Sequence, residues 1–115
     1  MGRGGSVAGR IARGEIRLYA FEPPDKKRPV LVLTRETALD YLSRITVAPI
    51  TSSIRGVPSE MVLDQADGMK SPCAANFHNI MTVPKDKLGK RVGQLSPQRM
   101  HELCRSLRYS LGCEA

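Results

Sequence analysis

Residues 46–53 read Thr-Val-Ala-Pro-Ile-Thr-Ser-Ser. The stretch begins as an apolar strand and ends in three hydroxyls, Thr51, Ser52 and Ser53. An apolar, β-branched run closed by small polar residues reads as a buried strand entering a turn. Pro49 lacks an N–H, so it should weaken pairing near the strand end or force an edge or bulge. Upstream, residues 29–33 are Pro-Val-Leu-Val-Leu, with Arg28 at their mouth. A run without polar alternation marks a strand covered on both faces, hence a central one. If the two strands share a sheet, a guanidinium and a row of hydroxyls meet at one place. That pairing suits a phosphate, because the planar fork of Arg holds two oxygens at once.

The remaining elements follow from periodicity. Residues 15–21 alternate, with Ile16, Leu18 and Ala20 on one face and Arg17, Tyr19 and Phe21 on the other; this predicts a first antiparallel strand. Residues 22–27, Glu-Pro-Pro-Asp-Lys-Lys, form a loop, since two prolines block helix and ladder alike. Residues 35–43 are expected to form a short helix with Ala38, Leu39 and Leu42 on one face and Thr34 as cap. Residues 58–63 alternate again, Met61 and Leu63 opposing Glu60 and Val62, and Asp67-Gly68 marks a turn. Residues 74–82 are expected to form a fifth strand, polar at Asn76, His78 and Asn79, and 84–88 a turn. The clearest element is C-terminal: Ser96 as N-cap, Pro97 at the first helical position, Gly112 after the last turn. Met100, Leu103, Cys104, Leu107 and Leu111 make its apolar stripe, with Arg99, Glu102, Arg105 and Arg108 opposite. Strands first and a closing helix point to α+β, a compact, strongly curved antiparallel sheet or partial barrel.

At 115 residues the chain makes one modest core. Residues 1–13 are Gly/Arg-rich and aperiodic and read as a flexible basic arm, with a single domain over 14–113. The formal net charge is +7, and it sits at the ends. Residues 1–17 hold four Arg against one Glu, and 85–115 hold seven Lys/Arg against three Asp/Glu, while 18–84 balance at seven each. Such placement suits an anionic partner, a nucleic acid or an acidic protein. Cys73, Cys104 and Cys113 make an odd count without CxxC spacing, which points to a reducing, cytoplasmic setting rather than a disulfide framework. Neither Cys73 with His78 nor His101 with Cys104 has a standard zinc spacing, so no metal site and no cofactor are expected. No run approaches the length of a membrane span, so no membrane partner is expected.

No P-loop, dinucleotide fingerprint or nucleophile elbow is present. Arg28, Thr51, Ser52, Ser53, His78 and the neighbouring Asn residues remain. These suit metal-free cleavage of RNA, whose 2′-hydroxyl is a nucleophile already beside the phosphorus. The protein must then manage two protons and stabilise charge on the phosphoryl oxygens. Arg28 is the charge stabiliser, Thr51 and Ser52 are donors to the same oxygens, and His78 is of the residue type suited to proton transfer near neutrality. Each also has a plain reading, as surface charge, turn hydroxyl or structural histidine.

Four motifs in order add a resemblance: Arg13-Gly14-Glu15-Ile16, residues 28–33 Arg-Pro-Val-Leu-Val-Leu, residues 47–52 Val-Ala-Pro-Ile-Thr-Ser, and Leu95-Ser96-Pro97. Over about residues 13–113 the chain resembles the MazF/PemK toxins of bacterial toxin–antitoxin pairs, especially small actinobacterial members. The resemblance implies an SH3-like barrel with a C-terminal helix, a homodimer, and sequence-specific, metal-independent cleavage of single-stranded RNA. It also implies neutralisation by a cognate MazE-like antitoxin with an acidic tail. Carried over, Arg28 and Thr51 match the family's catalytic pair, Ser52 a neighbouring contact, and residues 22–27 the mobile loop over the RNA. Substrate contacts are expected from Ser52, Ser53, Lys26, Lys27, Asn76, His78, Tyr19 and Phe21. The loop is shorter than in many members and lacks their Gly-rich stretch. His78 stands where the family usually has an acidic residue and Met81 where it has a basic one; His78 is read as a substrate contact. Two other readings carry no cleavage: a CcdB-type inhibitor acting on gyrase, and an RNA-binding SH3-like barrel. A gyrase binder would not need Arg28 and Thr51, and an RNA-binding barrel would bind with strong salt dependence but yield no product.

Overall fold

The computed structural model describes residues 10–22 and 26–113. Its strands are β1 (Glu15–Ala20), β2 (Lys27–Val32), β3 (Arg44–Thr51), β4 (Glu60–Leu63), β5 (Cys73–Asn76), β6 (Met81–Pro84) and β7 (Leu88–Gln94). One helix, α1 (Pro97–Leu111), closes the chain. The sheet runs β4-β5-β3-β2-β1-β7, all neighbours antiparallel, with β6 also on β3.

β3 is the hinge of the curl. Its first half pairs β6, Arg44 to Pro84 through Val47 to Met81. Its end pairs β5, Ile50 to Ala75 and Thr51 to Ala74. Pro49 falls between those partners on that edge, where its missing N–H interrupts no ladder. It still pairs with Val30 across the other edge. β2 lies between β1 and β3, as its unbroken apolar run requires, and a core forms on each face. Leu31 and Leu33 join Ile16, Ile50, Phe77 and Leu103 on one side. Val30 and Val32 join Ile45, Val47 and Val83 on the other.

Helix α1 follows its local signals. Ser96 Oγ accepts from Arg99 N–H at 3.2 Å, Pro97 opens the helix, and Gly112 closes it at φ 71°. Leu103 is fully buried, with Met100, Cys104 and Leu107 packed around the same core; Leu111, expected in the stripe, is 55% exposed. Arg99, expected on the polar side, turns inward instead. Its Nε and Nη2 hold the two oxygens of Asp67 at 3.0 and 2.9 Å. A second unexpected pair lies in β1, where Arg17 Nε meets Glu15 Oε1 at 2.9 Å and both side chains are nearly inaccessible.

Three expectations are corrected. The helix over residues 35–43 is a single 3-10 turn, Glu36–Ala38. Of its proposed apolar face only Leu39 is buried, while Tyr41 is 76% exposed, so no stripe exists to hold a longer helix. Thr34 does not cap it but accepts from Thr46 N–H at 2.7 Å. Second, the strand over 74–82 is two strands, β5 and β6, parted by a 3-10 turn at Phe77–Asn79. Asn76 Oδ1 accepts from His78 N–H at 2.9 Å, the local bond by which Asn diverts a chain from a ladder. Third, β7 was not anticipated: Leu-Gly-Lys-Arg-Val-Gly-Gln carries two glycines and two cations, a poor strand by propensity. Its pairing with β1 overrides that, and Gly93 is needed because a Cβ there would run into the Asp67 carbonyl.

Residues 1–9 of the expected basic arm lie outside the described residues. Its last residues are tied down. Arg10 pairs with Asp40 at 3.0 Å, and Arg13 Nε donates to Leu33 O at 2.9 Å.

Candidate active site

Val30 pairs with Pro49 across β2 and β3. Continued by two residues toward the open end, that register sets Arg28 opposite Thr51. Opposed residues share a face, with Cβ atoms about 5 Å apart. The face carries the second core further in, at Val30 and Val47, and opens to solvent at Arg28. Arg28 makes no hydrogen bond or ion pair with the described residues, so its guanidinium fork is available to a ligand. Thr51 Oγ1 accepts from Ser53 N–H at 3.1 Å. That bond fixes the hydroxyl and leaves its proton to donate outward.

Arg28 and Thr51 form a ridge between two concavities. The first, 460 Å³, is lined beyond them by Phe21, Pro49, Ser53, Arg55, Glu60, Asn76 and Asn79. The second, 740 Å³, adds Ser52, Lys70, Ser71, Lys90 and Arg91 over a floor of Leu18, Met69, Pro72 and Val92. Both walls are positive on balance, which concentrates an anionic chain at the ridge. Cys73 closes the second concavity; burial, then the Asp67 charge, push its thiol above the ordinary 9.0. A neutral thiol is a weak nucleophile, so that wall is structural.

The structure brings together Arg28, Thr51, Ser52, Ser53, Asn76 and Phe21 of the expected set. It does not bring in the others. Lys26 and Lys27 are exposed at the mouth of β2 and line neither concavity, and residues 23–25 between them and Glu22 lie outside the described residues. His78 is exposed on the 3-10 turn and lines neither; Asn79, its neighbour, takes that place. Tyr19 packs edge-on against Phe21, centroids 5.0 Å apart, over the second core. Only Phe21 also reaches the cleft.

Sequence reasoning missed Arg55, Glu60, Lys70, Lys90 and Arg91, and named Asn79 only as a neighbour of His78. Lys90 and Arg91 were foreshadowed by the basic C-terminal third. Glu60 was read as the outer position of an alternating strand. It is instead only 9% exposed, and its Oε1 accepts from both Arg55 N–H and Gly56 N–H at 3.0 Å. No local pattern announces a carboxylate that folds a preceding loop back on itself. Among the described residues no three His, Cys, Asp or Glu side chains gather in a metal-holding group. No helix among them is long and apolar enough to cross a membrane.

Comparison with known proteins agrees over nearly the whole chain. The family model of PemK-like, MazF-like toxins of type II toxin–antitoxin systems matches residues 12–111. The probable endoribonuclease MazF2 of Mycobacterium tuberculosis is 41% identical over 104 residues, 90% of this chain and 100% of that protein. The endoribonuclease MazF3 of the same species is 42% identical over 71 residues, 62% of this chain and 69% of that one. Among solved structures, the Mycobacterium tuberculosis toxin MazF-mt6 superposes with a TM-score of 0.80 at 32% identity, covering 88% of this chain and 99% of that one. A mycobacterial endoribonuclease in complex with its cognate antitoxin shares the fold at a TM-score of 0.80 and 21% identity, over 91% and 98% of the two chains. The curled antiparallel sheet with its single C-terminal helix is thus the MazF architecture, and the chain belongs to the PemK/MazF family of toxins of type II toxin–antitoxin systems.

Proposed function

We propose that this MazF-like endoribonuclease toxin cuts single-stranded RNA by attack of the substrate's own 2′-hydroxyl on the adjacent phosphorus, with no metal. The observation that carries this reading is the register setting Arg28 opposite Thr51 on an open face, at the ridge shared by two basic concavities. The scissile phosphate sits on the ridge. Arg28 holds two of its oxygens as charge builds, and the Thr51 hydroxyl donates to one of them. The 2′-oxygen forms a bond to phosphorus, the bond to the 5′-oxygen breaks, and a 2′,3′-cyclic phosphate remains. In net, the 2′-hydroxyl proton passes to solvent and the departing 5′-oxygen takes one from solvent. Ser52 and Ser53 flank the ridge on opposite sides, where they meet the nucleotides before and after the cut. Lys26 and Lys27 act from the loop at a distance, by charge, and His78 contacts substrate only outside the cleft.

The same positive ridge suits the acidic tail of a cognate MazE-like antitoxin, which would neutralise the toxin by occupying it. A homodimer acting in the cytoplasm completes the proposal. A CcdB-type contact with gyrase would give no use to the opposed Arg28 and Thr51. The test is incubation with a mixed RNA pool in EDTA, with the new ends sequenced. Discrete cuts ending in cyclic or 3′-phosphate are expected. Arg28→Ala should lose about 10²–10³ in kcat and keep its melting temperature, because the exposed Arg28 side chain makes no hydrogen bond or ion pair with the described residues. Near-normal cleavage by that variant would remove Arg28 from the mechanism.

A further inference from the structure

Glu60 does more than close a loop. Its Oε1 is occupied by the backbone N–H groups of Arg55 and Gly56, each at 3.0 Å. Its Oε2 receives no hydrogen bond from the described residues, although the residue is only 9% exposed and lines the first concavity. An unpaired oxygen on a buried carboxylate is costly to keep. Facing the concavity, it takes its missing donor from water or from a ligand that displaces that water.

Register locates this oxygen relative to the chemistry. Glu60 opposes Asn76 on β5, and the β5–β3 register continues that row to Pro49. Arg28, Thr51 and Ala74 make the next row on the same face. With adjacent strands about 4.8 Å apart, Glu60 and Thr51 are separated by roughly 12 Å between backbones. A general base must come within about 3 Å of its proton, or one water away. Set two strands over from Thr51, Glu60 is level with a neighbouring nucleotide rather than with the reacting 2′-hydroxyl.

The groups around it suit a base edge. Glu60 Oε2 only accepts. Asn76 has its carbonyl oxygen committed to His78 N–H, and its amide hydrogens have no acceptor among the described residues. Asn79 and Arg55 line the same wall. An acceptor beside donors matches a base that carries an exocyclic amino group next to an acceptor, and in RNA such edges are read on unpaired nucleotides. We propose that Glu60 is a specificity-determining residue of the RNA site, accepting from the amino group of a cytosine, adenine or guanine next to the cut and disfavouring uracil there. This rests on the RNA-cleaving reading above.

Glu60→Gln tests it. Its Oε1 can keep both loop bonds, while the free oxygen becomes an NH₂ donor, inverting the contact. Sequenced cuts of a random RNA pool should show an amino-bearing base near the cleavage point for the native chain. In Glu60→Gln that preference should fall by at least about tenfold, with cleavage retained at other sequences. An unchanged preference, at any overall rate, would overturn the proposal and leave Glu60 a loop brace. Loss of all cleavage by a folded variant would overturn it by assigning Glu60 to the chemistry. Competition between uncleavable 2′-deoxy oligonucleotides reads the same preference by binding. If the native chain cuts nothing, the cleavage reading fails, while an amino-base preference in binding that Glu60→Gln abolishes still upholds Glu60; its absence overturns it.

Discussion

Replacing Arg99 by Ala should destabilise the protein far more than its place on the outer side of a helix suggests. The Arg99 guanidinium grips both oxygens of Asp67, at 3.0 and 2.9 Å, and also donates to Val62 O and Glu102 Oε1. It thereby fastens α1 to β4 and to the 3-10 turn Gln65–Asp67. The Asp67 side chain is 2% exposed and that of Arg99 27%. The Asp67 hydrogen bond, the largest influence on Arg99, raises its pKa above the ordinary guanidinium value, so Arg99 keeps its charge. After Arg99→Ala, Asp67 keeps the Asp64 N–H at 3.0 Å and the turn's own geometry, but its charge is left buried without a cation. Breaking such a pair from one side costs about 3–5 kcal/mol. The surviving bond and the partial exposure of Arg99 place the loss near the lower end, about 3 kcal/mol, out of a total of roughly 5–15. At about 4 °C per kcal/mol the melting temperature should fall by about 12 °C. Urea titration should show a lower midpoint with unchanged slope. Arg105→Ala, on the exposed side of the same helix, should stay within about 0.5 kcal/mol. Arg99→Lys should fall between, because it keeps the charge and loses the fork. A loss for Arg99→Ala no larger than that for Arg105→Ala would refute the reasoning and reduce the pair to an ordinary surface contact.

Other outcomes follow from single contacts. Gly93→Ala should cost about 1–3 kcal/mol or more, read as a lower urea midpoint, because the added Cβ meets the Asp67 carbonyl and Ile16 Cδ1. Cys73, held neutral by burial and Asp67, should be alkylated far more slowly than exposed Cys113. Its raised pKa also sets a sign: the unfolded chain loses the thiol proton first, so stability should decline as pH rises past about 9. Cys73→Ala should flatten that decline when melting is followed from pH 8 to 10. His78→Asp should keep cleavage within a few-fold, since His78 lines neither concavity and its turn is held through its backbone N–H; a loss of orders of magnitude in cleavage rate would give it a chemical role.

How much was legible depended on how local the cause was. Helix α1 could be placed to the residue because its cap, its first-turn proline and its closing glycine are adjacent in sequence and act within one turn. The central position of β2 was legible because burial on both faces leaves no polar alternation. Arg28 and Thr51 could be singled out by type and by resemblance. The single strand expected over 74–82 failed because the pattern of residue types does not show that Asn76 will bind the His78 backbone instead of pairing. β7 escaped because tertiary pairing, not propensity, makes it a strand.

The sequence by itself therefore determined the α+β class, the central strand, the helix and its ends, and the basic character of the chain, since each rests on neighbouring residues or on a sum. Only the tertiary structure decided that Arg28 faces Thr51, that Arg17 is buried and Arg99 half-buried against carboxylate partners rather than free surface charges, and that Glu60 enters the cleft while His78 does not. Those facts depend on strand register, on the curl at β3 and on the packing of α1, which join residues far apart in the chain. A shift of one residue in pairing would turn the strand side chains among them, Arg17, Arg28, Thr51 and Glu60, to the other face.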